Sequence, residues 1–202
     1  MLRLLQDIFM VPAHVLEGTA ARWGFSGPLY QGFGKVYRFP RKLLLFGEKE
    51  IASHVLPGKR LLDLGCGPGY LTGLLEDRFQ VSVGLDLEPE MMQKARSFAP
   101  RSLFLRADMT KPPFQEGSFD CVVSLGAVHC VDYNKLADAV FDVLAPGGQF
   151  HVLIDDRIIP FFAPKASGEN LAAALWTRGF EKVSRTQIGR LYAYYSARKK
   201  DA

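Results

Sequence analysis

A glycine-rich turn that follows a carboxylate is the clearest chemical feature of this chain. Residues 63–69 read Asp-Leu-Gly-Cys-Gly-Pro-Gly, and they continue a short apolar run over residues 61–64 that predicts a buried strand. Glycines at a strand-to-helix turn let the backbone approach a ligand closely, at the sheet edge where α/β folds bind small molecules. Such a turn is a weak signal alone, so its meaning depends on the polar residues around it.

Two further carboxylates follow the next two predicted strands. Asp86 ends the second strand, 21 residues beyond Gly65, and Asp108 comes just after the third. Because parallel strands present their carboxyl ends at one edge, Asp63, Asp86 and Asp108 are expected to form an acidic rim around one crevice. Asp86 is suited to accept both hydroxyls of a ribose, and Asp108 to accept a hydrogen of an adenine amino group.

The charge of this rim separates two ligands that both contain adenosine. A nicotinamide dinucleotide site requires G-x-G-x-x-G, but counting from Gly65 the last glycine position holds Tyr70. Three carboxylates would also repel a diphosphate, whereas they would hold a ligand with ammonium and sulfonium charges. The residues therefore favour S-adenosylmethionine (SAM) over NAD. An NAD-dependent oxidoreductase remains the alternative.

The elements that must position these residues alternate between strand and helix. Apolar runs without strict alternation predict a mostly parallel sheet covered on both faces, which is an α/β fold. Residues 183–188 and 191–197 have almost nothing between them, so they predict an antiparallel hairpin. The other predicted strands cover residues 61–64, 81–85, 102–105, 119–124 and 150–154. The predicted helices that alternate with them cover residues 70–78, 88–98, 133–144 and 170–178.

Several motifs occur in order between residues 58 and 154. They are Leu-Leu-Asp-Leu-Gly-Cys-Gly-Pro-Gly (61–69), Gly-Leu-Asp-Leu-Glu-Pro-Glu-Met-Met (84–92), Ala-Asp (107–108), Pro-Phe-Gln-Glu-Gly-Ser-Phe-Asp (113–120), Ser-Leu-Gly-Ala-Val-His (124–129) and Leu-Ala-Pro-Gly-Gly (144–148). This set resembles the class I SAM-dependent methyltransferases, of the type 11 subgroup that includes the ubiquinone/menaquinone-biosynthesis methyltransferases. The resemblance implies a doubly wound, seven-stranded, mostly parallel sheet with a reversed final strand, the Rossmann-like methyltransferase fold.

The resemblance also implies roles for individual residues in holding SAM. Asp63 and the backbone that follows it would hold the methionine part, and Asp86 would take the ribose hydroxyls with Leu87 packed on the adenine. Asp108 and Met109 would contact the edge of the adenine. Ser124 and Leu125, at the end of the fourth strand, would line the side of the site that faces the methyl group. The cofactor-binding residues expected on this basis are Asp63, Leu64, Gly65, Cys66, Gly67, Asp86, Leu87, Met91, Asp108, Met109, Ser124 and Leu125.

Three residues are candidate contacts to the methyl acceptor, and each has a purely structural alternative. Tyr30 and Tyr37 lie in a glycine- and proline-rich segment, where they either close over the site or pack a lid against the core. His129 either acts as a general base or packs beside the adenosine and caps the next helix. No catalytic residue is predicted, because displacement at a methyl group activated by a positive sulfur mainly requires positioning and desolvation.

The segments on either side of the motif-bearing region are expected to determine which molecule accepts the methyl group. Residues 1–50 form a predicted N-terminal helical or lid segment, and residues 51–202 form the predicted SAM-binding domain. Residues 1–50 carry seven basic and four acidic side chains, and residues 155–202 carry nine and five, so both flanks are basic. Residues 1–11 predict a short amphipathic helix that either docks on its own domain or contacts a membrane surface. A helix is also predicted from residue 41 to about residue 55.

Composition excludes several other classes of protein. A chain of 202 residues with 48% hydrophobic residues suits a single folded domain. Three scattered cysteines without a CxxC predict neither a disulfide framework nor a structural metal, and they favour a reducing, cytoplasmic location. The sequence has no dense run of basic residues of the kind that indicates nucleic-acid binding. A SAM-binding partner subunit without turnover remains a third functional alternative, and the sequence does not predict an oligomeric state.

Overall fold

Seven strands make up one sheet in the computed structural model, which describes residues 45–156, 167–190 and 192–201. The predicted helix over residues 1–11 and both Tyr30 and Tyr37 lie outside the described residues. The strands are β1 (Gly58–Leu64), β2 (Phe79–Asp86), β3 (Leu103–Arg106), β4 (Phe119–Leu125), β5 (Leu144–Asp155), β6 (Phe180–Ile188) and β7 (Tyr192–Lys199). The helices are α1 (Leu45–His54), α2 (Tyr70–Leu75), α3 (Pro89–Phe98), α4 (Tyr133–Val143) and α5 (Gly168–Arg178), with short 3-10 turns at Glu76–Arg78 and Val128–Cys130.

The strand order is β3-β2-β1-β4-β5-β7-β6. β1 runs parallel to both β2 and β4, and β4 runs parallel to β5. β7 is antiparallel to β5 and to β6, so the predicted C-terminal hairpin is confirmed. The chain order reverses on either side of β1, between β2 and β4, and such a switch point leaves a crevice at the carboxyl ends of the strands. The predicted mostly parallel, doubly wound sheet with its reversed strand is confirmed.

Hydrophobic side chains cover the two faces of the sheet, as a parallel sheet requires. Leu62 and Leu64 of β1 pack on one face with residues of α4 and α5. Leu61 points to the opposite face, where it packs with Ile51 of α1 and Leu71 of α2. Both faces are therefore buried, and the edge formed by the strand ends is the part of β1 left to contact a ligand.

The largest difference from the predicted elements is the length of β5. Its predicted start, at residue 150, excluded Leu144 and the Ala-Pro-Gly-Gly sequence that follows. In the structure Leu144 pairs with Phe119, and Gln149 pairs with Cys121, with a register shift between these two pairs. The glycines and proline were expected to form a turn before the strand. They instead form an irregularity within it, because residues on both sides of them pair with β4.

Candidate functional site

The glycine turn joins β1 to α2 and is tied to the end of β2. The backbone N–H groups of Gly65 and Cys66 both donate to the carbonyl oxygen of Leu85, at 2.7 and 3.0 Å. Gly65, Gly67 and Gly69 have φ values of 67°, 50° and 78°, a left-handed conformation that favours glycine over every other residue. The predicted need for glycine at these three positions therefore has a backbone cause.

Asp86 links this turn to the next helix. One of its carboxylate oxygens accepts a hydrogen bond from the backbone N–H of Gly67, at 2.8 Å, and the other accepts one from Glu88, at 2.9 Å. The side chain is half-buried at the end of β2. Carboxylate oxygens accept more than one hydrogen bond, so both retain capacity for ribose hydroxyls.

Asp63 lies below the turn and is almost completely buried. The hydroxyl of Thr72, on α2, donates to its carboxylate at 2.6 Å. Burial and the negative charge of Asp86 together raise the pKa of Asp63 from 3.8 to about 7, although the hydrogen bonds from Thr72 lower it. The structure therefore brings Asp63 and Asp86 into one electrostatic environment, which a positively charged ligand would stabilise.

The third predicted carboxylate is the most accessible. The backbone N–H of Ala107 donates to the carbonyl oxygen of Asp86, which places Asp108 beside the end of β2. Asp108 is exposed, and one of its oxygens accepts hydrogen bonds from the backbone N–H and the hydroxyl of Thr110. A Cβ built on Gly65 would lie 3.1 Å from Cε of Met109, so Met109 reaches the glycine turn.

The end of β4 closes the other side of the crevice. The Ser124 hydroxyl donates to the carbonyl oxygen of Leu64 at 2.7 Å and is fully buried. Leu125 is half-buried. His129 is buried in the 3-10 turn after β4, and Asp132 rather than His129 caps the next helix. A general base and a side chain packed beside the adenosine are the roles of His129 that stay predictions.

The remaining predicted cofactor residues differ in exposure. Cys66 is buried beside Gly84, and burial raises the pKa of its thiol, in keeping with a small apolar spacer rather than a reactive group. Leu87 is 51% exposed, so a large apolar surface stands free to pack on a flat ring. Met91 is buried in α3.

The space beside the turn supplies a test of whether SAM fits. A Cβ built on Gly67 meets no atom within 4 Å, so the backbone there faces open space, and its N–H group donates to the carboxylate of Asp86. By contrast, a Cβ on Gly69 would lie 2.9 Å from Cβ of Ala95 and close to its backbone. An open backbone beside a carboxylate suits a cationic nucleoside, so the residues present fit the cofactor that the sequence predicts.

Sequence reasoning missed one residue of this region. Glu48, in the first turn of α1, is 3% exposed, and its Oε2 has no hydrogen-bond partner in the described part of the chain. Burial raises the pKa of Glu48, and the negative charge of Asp63 adds to this effect, so the two carboxylates influence each other electrostatically. A sequence signal existed, because Glu48 stands one turn before Ile51 and Ala52 on the apolar stripe of the helix.

Two further features of the described residues concern metal ions and membranes. Among residues 45–156, 167–190 and 192–201, no three His, Cys, Asp or Glu side chains group in a way that could hold a metal ion. Over the same ranges, no helix is both long and apolar enough to cross a membrane.

Comparisons with known proteins define the class of this fold and site. Residues 62–152 match the family described as Methyltransferase domain. A SAM-dependent methyltransferase structure from Mesorhizobium loti has the same fold, with a TM-score of 0.65 at 21% identity over 75% of this chain and 96% of that one. Residues 62–152 therefore match the methyltransferase domain family, and the described residues have the fold of class I SAM-dependent methyltransferases.

Particular relatives share more of the sequence. The demethylmenaquinone methyltransferase of Thermus thermophilus is 41% identical over 128 residues, which cover 60% of this chain and 56% of that one. The malonyl-[acyl-carrier protein] O-methyltransferase of Erwinia billingiae is 32% identical over 167 residues, which cover 69% of this chain and 66% of that one. The chain spans about half the length of several curated relatives that it matches.

Proposed function

We propose that this protein is a SAM-dependent methyltransferase that transfers a methyl group to an oxygen, nitrogen or carbon nucleophile of a small-molecule or lipid-like acceptor. The observation that carries the proposal is the open backbone at Gly67, which is hydrogen-bonded to Asp86 in the same turn that follows the buried Asp63. These carboxylates would attract the cationic methionine end and accept the ribose hydroxyls. The same carboxylates would repel the diphosphate group of a dinucleotide, which is an argument against the NAD alternative.

The chain's own residues would act by binding and positioning. SAM, when bound, supplies a methyl group that its positive sulfur has already activated. Asp86 would orient the ribose, and Asp108 and Met109 would contact the adenine edge. Ser124 and Leu125, which are buried and half-buried at the end of β4, would exclude water from the methyl side. A general base is needed only where the acceptor atom starts protonated, and His129 is the candidate for that step.

The acceptor class is inferred from the relatives. One of them is named for demethylmenaquinone and another for the malonyl group on acyl carrier protein. Both names describe acceptors that are small or lipid-like rather than nucleic acid. A SAM-binding subunit without turnover is the second candidate, and the matched relatives are named as enzymes rather than as partner subunits.

Two experiments test the proposal in sequence. Isothermal titration with SAM, S-adenosylhomocysteine and NAD is expected to show binding of the first two only. Transfer of a labelled methyl group from SAM to a cell extract, split into small-molecule, lipid and protein fractions, then identifies the acceptor class. Tight NAD binding without SAM binding would replace the methyltransferase with an oxidoreductase. SAM binding with no labelled product in any fraction would favour the non-catalytic subunit.

We also propose that the protein acts in the cytoplasm, where residues 1–11 either dock on their own domain or form a peripheral contact to the inner membrane surface. The support is the amphipathic pattern of those residues and the basic flanks of the chain. Co-sedimentation with anionic lipid vesicles, with and without residues 1–11, tests the contact. Equal sedimentation of the two forms would mean that residues 1–11 are not the contact.

A further inference from the structure

Helix α1 runs opposite to the strands, which places its first turn near the cofactor edge of the sheet. The guanidinium of Arg78 donates to the carbonyl oxygens of Ala52 and Val55, at 2.5 and 3.2 Å. Arg78 immediately precedes β2, so the last turn of α1 lies where the strands begin. The first turn, with Glu48, therefore lies toward the edge where the strands end.

Contacts of the neighbouring residue support the same placement. A Cβ built on Gly47 would lie 2.9 Å from a δ-carbon of Leu125 and 2.9 Å from one of Leu153. Leu125 is the last residue of β4, at the carboxyl edge. The absence of a side chain at Gly47 lets α1 approach this edge closely and brings Glu48 with it.

Glu48 has the properties of a ligand that lacks its partner. Its side chain is 3% exposed, and Oε2 has no hydrogen-bond partner within the described residues. Buried carboxylates in folded proteins are normally paired or hydrogen-bonded, since an unpaired one loses its hydration without compensation. Burial and, to a lesser extent, the charge of Asp63 raise the pKa of Glu48 from 4.5 to about 7, although a hydrogen bond from its own backbone lowers it.

We propose that Glu48 is a second anionic ligand of the cofactor, and that it shares with Asp63 the α-ammonium group of the methionine part. The inference rests on the proposed SAM-binding function. An ammonium group carries three N–H donors, so it can donate to both carboxylates at once. The sulfonium carries no N–H, so it cannot supply the donor that Oε2 lacks.

The test compares Glu48→Gln with Glu50→Gln, a control on the same helix whose half-exposed side chain lies beside His54. Isothermal titration is carried out with SAM, S-adenosylhomocysteine and methylthioadenosine, which lacks the amino-acid part. Glu48→Gln is expected to weaken SAM and S-adenosylhomocysteine about equally, by about tenfold, and to leave methylthioadenosine unchanged. Glu50→Gln is expected to bind all three as the unmodified protein does.

Each other outcome has a defined meaning. Unchanged SAM affinity in Glu48→Gln overturns the inference while the proposed function stands, whereas absence of SAM binding by the unmodified protein overturns the function itself. Weakening of SAM alone would assign Glu48 to the sulfonium, and equal weakening of methylthioadenosine would indicate a general distortion of the site. Both results overturn the ammonium assignment.

A second readout does not depend on affinity. Because both carboxylates are partly protonated near neutral pH, ammonium binding is expected to release protons to solvent. Titration of SAM at pH 6.5 in two buffers of different ionisation enthalpy counts those protons. Fewer released protons in Glu48→Gln support the inference, and an unchanged number contradicts it. Should Glu48→Gln not fold, Glu48→Met, which is uncharged and of similar volume, takes its place.

Discussion

Asp86 connects three parts of the site through a single side chain. Its two oxygens hold the backbone of the glycine turn and of the residue before α3, and its carbonyl oxygen holds the segment that leads to Asp108. One residue therefore sets the relative positions of the methionine, ribose and adenine ends of the proposed cofactor site. Its charge also acts on Asp63.

Replacement of Asp86 by alanine is expected to reduce SAM affinity by about 1–3 kcal/mol, because charge-assisted hydrogen bonds to the ribose are lost. Isothermal titration measures the change. Glu181→Ala, an exposed position on β6 at the other end of the sheet, is the matched control. An unchanged dissociation constant for Asp86→Ala would remove this residue from the site.

Alanine at Gly67 and at Gly69 should give opposite results. At Gly67 the added methyl group meets open space, so we expect the fold to lose only about 1–2 kcal/mol for the left-handed backbone, while SAM binding falls because the methyl group occupies cofactor space. At Gly69 the methyl group would collide with Ala95, so unfolding free energy should fall more. Urea unfolding and SAM titration of both variants separate these effects. Normal SAM affinity in Gly67→Ala would mean that the cofactor does not lie against this turn.

Helix α4 is held in place by a side-chain cap at its start and by an apolar face packed on the sheet. Asp132 caps the helix by accepting hydrogen bonds from the backbone N–H groups of Asn134 and Lys135. One face of the helix, including Leu136 and Val140, is then buried against the sheet. The helix predicted over residues 133–144 agrees with the observed helix, whereas the Asp132 cap was not among the predictions.

Loss of this cap should lower stability without affecting the site. Asp132→Ala is expected to lower the free energy of unfolding by about 0.5–2 kcal/mol, since two backbone donors lose their acceptor. Urea unfolding measures it, with Asn134→Ala, exposed in the same turn, as control. A loss no larger than that of the control would show that the Asp132 carboxylate does not stabilise α4.

For the whole molecule, buried ionisable groups make stability depend on pH in two directions. Burial raises the pKa of Asp63 from 3.8 to about 7 and that of Glu48 from 4.5 to about 7, so their contribution to stability is present at low pH and is lost as pH rises through about 7. Burial lowers the pKa of His151 from 6.5 to about 4, so its contribution is present above about 6.5 and is lost as pH falls through about 4.

SAM binding is expected to oppose the pH dependence of stability that Asp63 and Glu48 cause. SAM binds the ionised carboxylates, so the increase in Tm at a fixed SAM concentration is expected to be greater at pH 7.0 than at pH 5.5. Both values lie below the pH at which an α-amino group loses its proton, about 7.7–8.0. Differential scanning fluorimetry measures the shift, and methylthioadenosine, which has no ammonium group, should show a smaller pH effect. An equal SAM shift at both pH values would argue against ionised carboxylates at the methionine end.

Much of the fold was predictable because local patterns carried it. The alternation of strands and helices, the glycine turn and the C-terminal hairpin depend on neighbouring residues, and the structure confirms them. The start of β5 was not predictable, because the glycines and proline at residues 145–148 are typical of a turn. Only pairing with β4 places Leu144 and Gln149 in the strand. The division at residue 50 stays a prediction, and α1 extends across it.

The amino-acid sequence by itself determined where glycine and carboxylate stand at the ends of β1 and β2, because backbone conformation and hydrogen bonding at a turn depend on adjacent residues. Only the tertiary structure decided that Glu48, 15 residues before Asp63, is buried within electrostatic reach of it. That proximity follows from the packing of α1 on the sheet, which Gly47 and the Arg78 hydrogen bonds govern. Burial then sets the pKa values of both carboxylates, because the cost of a charge depends on everything that surrounds it rather than on its neighbours in the chain.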